Sequence, residues 1–98
     1  MAAKHKAIWS QRSVDDLDEI YNYLLEEWSS KDANTFLGLA QEFEKLVCQY
    51  PEAFAVSRKF KSCRLGLIHK NVTAVYKKKN KTIFIVTLFD NRSKSKYR

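Results

Sequence analysis

The sequence predicts an α+β fold in the order β-α-α-β-β-β: an antiparallel helical hairpin packed on a small, curved, mainly antiparallel sheet. Three observations predict it. From Val14 to Tyr50, apolar residues recur at intervals of three and four, the period of an amphipathic helix. From Cys63 to Asp90, β-branched and aromatic residues form three short runs divided by Asn-containing turns. Pro51 stands between the two regimes. The chain has 98 residues, a length that suits one domain, residues 1–98, with a modest core.

The first element is "HKAIWS", His5 to Ser10, a short strand around Ile8 and Trp9. Ser10 or Ser13 offers an N-cap oxygen, and Asp15 and Asp16 suit the positive end of a helix dipole. Val14, Leu17, Tyr21, Leu24 and Trp28 then form one stripe, widened by Ile20 and Leu25. Asp15, Asp18, Glu19, Asn22 and Glu26 fall on the other side. "SSKDA", Ser29 to Ala33, breaks this helix and offers new caps. A second stripe follows through Ala33, Phe36, Leu37, Ala40, Phe43, Val47 and Tyr50, and Pro51 ends it because proline cannot continue a helix. A link of about four residues makes the two helices an antiparallel hairpin.

"EAFAVSRKFKS" after Pro51 has neither period and predicts an irregular crossing. Strands are predicted over Cys63 to Lys70, Asn71 to Lys79 and Lys81 to Asp90. The last run is almost wholly apolar, which predicts a central strand covered on both faces. Asn71 and Asn80 suit the tight turns between the strands.

Charge divides the chain in two. Residues 1–56 carry five Lys/Arg against ten Asp/Glu, a net of −5. Residues 57–98 carry thirteen Lys/Arg against one acid, Asp90, a net of +12. The basic half predicts an anionic partner, either nucleic acid or an acidic protein segment. No apolar run is long enough to span a membrane, and the first residues lack a secretory signal, so a cytoplasmic protein is expected. Cys48 and Cys63 are then two buried thiols rather than a disulfide. With only His5 and His69, and no cysteine pair at ligand spacing, neither a metal nor another cofactor is expected.

Metal-free RNA cleavage remains open to such a chain. It needs a base for the 2′-hydroxyl, an acid for the leaving oxygen, and cations for the developing phosphorane charge. Arg64 near the start of the second strand, His69 at its end, Arg92 after the last strand and Tyr97 beyond it are the candidates. If the strand ends converge, these residues form one site. Lys61, Lys77, Lys78, Lys79 and Lys94 are candidates for attracting an anion. Each also has a plainer role, as a solvated surface residue or a partner for a helix carboxylate.

Four stretches together, "IWSQRSVDDLDEIYNYLLEEWS", "LVCQYPEAFAVS", "KNVTAVYK" and "IFIVTLFDNRSKSKY", resemble the RelE/ParE superfamily of toxins from bacterial type II toxin–antitoxin modules. The resemblance covers nearly the whole chain and implies a helical hairpin on a curved antiparallel sheet. It also implies a cognate antitoxin whose flexible segment folds onto the toxin. RelE-like members cut messenger RNA in the ribosomal A site, whereas ParE-like members poison DNA gyrase. Arg92 matches the superfamily arginine after the last strand, and Arg64 matches a basic position on the second strand. Tyr97 lies near the tyrosine that some nucleases carry. Thr73, in "NVTAVY", replaces an arginine of the RelE-like pattern, and no glutamate is available on the strands. The resemblance is therefore closer to ParE-like members and implies a growth inhibitor acting on DNA gyrase. The alternatives are a RelE-like ribosome-dependent mRNA endonuclease, a toxin whose activity has decayed, and a non-toxic basic nucleic-acid-binding module.

Overall fold

A computed structural model describes residues 5–91. The elements are β1 (Lys6–Trp9), α1 (Gln11–Glu27), α2 (Ser30–Gln49), β2 (Arg64–His69), β3 (Val72–Lys79) and β4 (Thr82–Asp90). This is the predicted order, and the fold is α+β. The four strands form one sheet in the order β1-β4-β3-β2. β2, β3 and β4 pair antiparallel, while β1 lies parallel to β4.

Between the two cap candidates for α1, the chain uses Ser10. Its Oγ accepts the Ser13 N–H at 3.0 Å and donates to the Val86 carbonyl at 2.7 Å, fixing the helix start to β4. Ser13 is buried, and its hydroxyl donates to the Ser10 carbonyl. Because α1 begins at Gln11, Asp15 and Asp16 fall in its second turn, beyond the strongest part of the dipole field. The link to α2 is shorter than the sequence suggested. Only Trp28 and Ser29 separate the helices, because the Ser29 side chain caps Asp32 N–H and draws Ser30, Lys31 and Asp32 into the first turn. α2 ends at Gln49, and Tyr50 leaves the helical conformation (φ −133, ψ 78) before Pro51, whose ring disfavours a helical residue ahead of it.

α2 carries the core. Phe36, Ala40, Phe43 and Val47 are buried against Ile68, Val72, Ala74, Tyr76, Ile83, Ile85 and Leu88 of the sheet. Tyr50, placed on that stripe by spacing, is exposed, and Cys48 is buried instead. Past the last regular turn the chain bends away, so the spacing no longer predicts the face. α1 packs more loosely: Leu17, Ile20 and Leu24 are half-buried, whereas Val14 and Trp28 are exposed.

β4 lies inside the sheet, as expected, but is not covered on both faces. Ile83, Ile85 and Leu88 are buried against the helices, whereas Phe84 and Val86 are half-buried. The helical hairpin covers one face, so the apolar run reflects an interior position between two strands more than double coverage. Two register shifts bend the sheet, one between Leu67 and His69 and one between Val75 and Tyr76. In the second, Val75 faces Thr87 and Tyr76 faces Ile85, leaving Val86 as the extra residue on β4.

Candidate functional site

The ends of β2 and β3 form two polar sites, and the sequence candidates divide between them. At the first end, Arg64 pairs across the strands with Tyr76. The Arg64 Nη1 donates to the Phe54 carbonyl at 2.7 Å, and the buried Tyr76 hydroxyl donates to the Pro51 carbonyl at 2.7 Å. These two bonds tie the crossing segment after α2 onto the sheet. Three rings lock it there. Phe43 lies 5.7 Å from both Phe54 and Tyr76, and Phe54 lies 6.3 Å from Tyr76. The predicted irregular crossing is thus well packed, and its Val56 even bridges to Arg64.

A recess of about 220 Å³ opens above this anchor, lined by Arg64, Lys77, Lys78, Glu52 and Ser62. Ser62 holds a left-handed backbone (φ 64), the turn that swings the chain into β2. Burial pushes the Tyr76 phenol above its ordinary range, partly opposed by the backbone at Phe54 and the Arg64 charge. Burial likewise raises the Cys63 thiol, partly opposed by Lys77. Lys61 and Lys79 are exposed nearby in the chain, on the crossing segment and at the end of β3. Among the described residues, the ion pairs are Arg12–Asp16 and Lys45–Glu42. None of the nine Lys/Arg from Arg58 to Lys81 is in one.

His69 occupies the other end of β2. Four residues of β2 separate it from Arg64, a span of about 16 Å in extended chain. The two therefore do not converge as expected if strand ends met. The His69 Nδ1 accepts the Asn71 N–H at 3.3 Å. Thr73 is buried and donates to Asn91 Oδ1 at 2.9 Å, while the Asn91 N–H reaches the Asn71 carbonyl at 2.6 Å. Arg92, Lys94 and Tyr97 lie outside the described residues. The chain enters them from Asn91, at the His69 end of the sheet.

Two features escaped the sequence. Asp16 accepts from the Thr87 hydroxyl at 2.6 Å and from the Leu88 N–H at 3.0 Å. β1 ends opposite Ile85, so the edge of β4 beyond it needs another acceptor, and α1 supplies one. A groove of about 350 Å³ lies along the hairpin, where Trp9, Val14, Leu17, Leu37 and Ala40 meet Glu44. The Trp9 indole N–H donates to Glu44 at 2.7 Å and holds one wall. The α1 stripe gave no sign of it, because spacing marks an apolar face but not how closely that face packs. No group of three metal-ligating side chains occurs among the described residues, and no described helix is long and apolar enough to cross a membrane.

A helical hairpin laid on a four-stranded mixed sheet is the fold of RelE/ParE toxin structures. The family described as "ParE toxin of type II toxin-antitoxin system, parDE" matches residues 7–94. The chain belongs to that family and is the toxin of a type II toxin–antitoxin system, whose partner is an antitoxin. Solved structures share the fold. The chromosomal ParDE toxin–antitoxin system from P. aeruginosa matches at TM-score 0.77 and 18% identity, over 91% of this chain and 98% of that one. Protein HP0894 from Helicobacter pylori matches at 0.60 and 22%, over 90% and 96%. The E. coli DinJ-YafQ toxin-antitoxin complex matches at 0.58 and 11%, over 95% and 99%. No curated protein sequence matches the chain.

Proposed function

We propose that the protein is a ParE-like growth inhibitor that acts on DNA gyrase in the cytoplasm and is neutralised by its antitoxin. The observation that carries this reading is the separation of the groups a metal-free nuclease would need. Arg64 and His69 lie at opposite ends of β2. Between them Thr73, where the RelE-like pattern has an arginine, is buried and committed to Asn91. The strands carry no carboxylate except Asp90 at the end of β4. Among the described residues, Arg64 is therefore kept from the sheet end that carries His69 and Asp90, and Thr73 supplies no phosphate-binding cation there.

The family match adds weight, because it is to ParE rather than to the superfamily at large. Arg92 is assigned the target contact, since it follows directly on the Asn91 anchor. The antitoxin segment places apolar side chains in the groove between α1 and α2 and acidic ones against the basic end.

Inducible expression without the antitoxin, followed by pulse labelling of DNA and protein synthesis, tests this. DNA synthesis failing first, with a DNA-damage response and intact transcripts, is the expected result. Early arrest of protein synthesis with ribosome-dependent cuts in messenger RNA would replace gyrase by the ribosome. Normal growth would leave a decayed toxin or a plain nucleic-acid-binding module. Arg92→Ala is expected to relieve toxicity while leaving the fold and antitoxin binding intact. Full toxicity at equal protein level would remove Arg92 from the contact.

A further inference from the structure

The recess at the start of β2 is a preformed site with unbalanced charge. Arg64, Lys77 and Lys78 face one acid, Glu52, and none of the four is in an ion pair among the described residues. Concave walls concentrate such a field. The Arg64 guanidinium is half-buried, and its one hydrogen bond goes to a neutral carbonyl, that of Phe54. That bond fixes the guanidinium and leaves most of its five donors for an incoming acceptor. A fixed guanidinium without a counter-ion matches a planar, two-oxygen acceptor.

Size restricts the ligand. At about 220 Å³ the recess is smaller than the roughly 300–1,000 Å³ of most small-molecule sites. It admits an acidic side chain rather than a cofactor. Glu52 on the wall then favours a singly charged carboxylate over a phosphate, whose greater charge it repels more strongly. The walls are also held in place. The Tyr76 hydroxyl holds Pro51, and the Ser57 Oγ accepts the N–H groups of Lys59 and Phe60. Leu65 N–H reaches the Ala55 carbonyl, and Ser57 N–H reaches that of Cys63.

We infer that this recess receives one glutamate or aspartate side chain of the antitoxin, held by Arg64 and flanked by Lys77 and Lys78. The assignment rests on the toxin–antitoxin reading and is independent of the cellular target. Its test uses the isolated toxin, isotope-labelled, with a hexaglutamate peptide, inorganic phosphate and hexathymidylate as probes. The readouts are the Arg64 Nε–H and the Ser62 to Arg64 amide resonances, together with the dissociation constants.

Hexaglutamate is expected to shift those resonances first and to bind more tightly than either phosphate probe. Arg64→Lys keeps the charge but removes the two-pronged donor, and should weaken the peptide about tenfold. Lys78→Gln, at an exposed position whose side chain has no hydrogen-bond partner among the described residues, should weaken it about threefold with unchanged thermal stability. Lys70→Gln, at the opposite end of the sheet, should leave it unchanged. Tighter binding of phosphate or hexathymidylate at the same resonances would overturn the carboxylate assignment. Shifts spread evenly over the lysines, with no loss in Arg64→Lys or Lys78→Gln, would overturn the site itself. Neither outcome depends on gyrase or on growth, so failure here and failure of the gyrase reading are separately visible.

Discussion

Gly66→Ala puts the packing beneath the basic recess to a direct test. Gly66 lies on β2 opposite Ala74, under the rings of Phe43 and Phe54. A Cβ added there would overlap Phe43 Cε1 outright and stand 2.9 Å from Phe54 Cδ2 and 3.1 Å from Phe43 Cζ. Phe43 is only 4% exposed and is held by both ring partners, so it cannot swing into solvent. Overpacking of this kind costs about 1–3 kcal/mol. The reduced freedom of the unfolded chain returns about 0.4–1 kcal/mol. The net loss is about 1–2 kcal/mol, which in a domain of this size lowers the melting temperature by roughly 5–15 °C. Urea unfolding followed by circular dichroism should show a lower midpoint at an unchanged slope. Phe43→Leu in the same chain makes room for the methyl, so the double variant should lose less than the two single variants together. A Gly66→Ala protein as stable as the parent, or strictly additive losses, would show that the rings do not rest on Gly66.

Three further outcomes follow from buried polar groups. Asp16→Ala strands the Leu88 N–H and the Thr87 hydroxyl and should cost about 1–3 kcal/mol in urea unfolding, with Asp16→Asn losing less; equal stability would deny α1 its role at the edge of β4. Tyr76→Phe leaves the Pro51 carbonyl without its donor and should cost about 1 kcal/mol. Because burial raises the Tyr76 phenol above its ordinary 10.0, its contribution is complete below that pH and is lost as pH rises through the higher folded value. The parent should therefore lose stability at alkaline pH more steeply than Tyr76→Phe, and matching pH profiles would count against the burial argument. Cys48 and Cys63 are buried, free and raised by burial, so a thiol reagent should find neither in the native protein and both in urea; fast native labelling would mean that the crossing segment opens.

Much of this fold was legible in the sequence for reasons that are local. A helix stripe at three and four, a strand run and a proline stop each act within a few residues. The α2 stripe from Ala33 to Val47 accordingly identified the buried face, and Pro51 marked the end of the helix. The charge division was equally plain, since it depends on composition alone. Local pattern failed where an element's last turn or a cap decided the outcome. Tyr50 left the core at a helix end, and Ser29 shortened the hairpin link.

The candidate site was only half legible. Residue type picked out Arg64 and His69, but type does not say whether two strand ends meet, and here one six-residue strand holds them apart. Spacing also could not reveal the role of Asp16 on α1, which reaches Thr87 across 71 positions of chain and serves the sheet edge. The ring trio of Phe43, Phe54 and Tyr76 joins a helix, an irregular segment and a strand, and no single period contains it.

By itself, then, the sequence determined the order of elements, the buried face of α2, the basic second half and the likeness to a toxin superfamily. These follow from short-range spacing and from charge, which the chain carries whether folded or not. Tertiary structure alone decided that β1 runs parallel beside β4, that Val86 bulges out of register, and that Arg64 shares a recess with Lys77 and Lys78 rather than a site with His69. Those outcomes depend on which backbone groups find partners across tens of residues. Pairing of that kind is settled by the free energy of the whole packed chain, and no local window contains it.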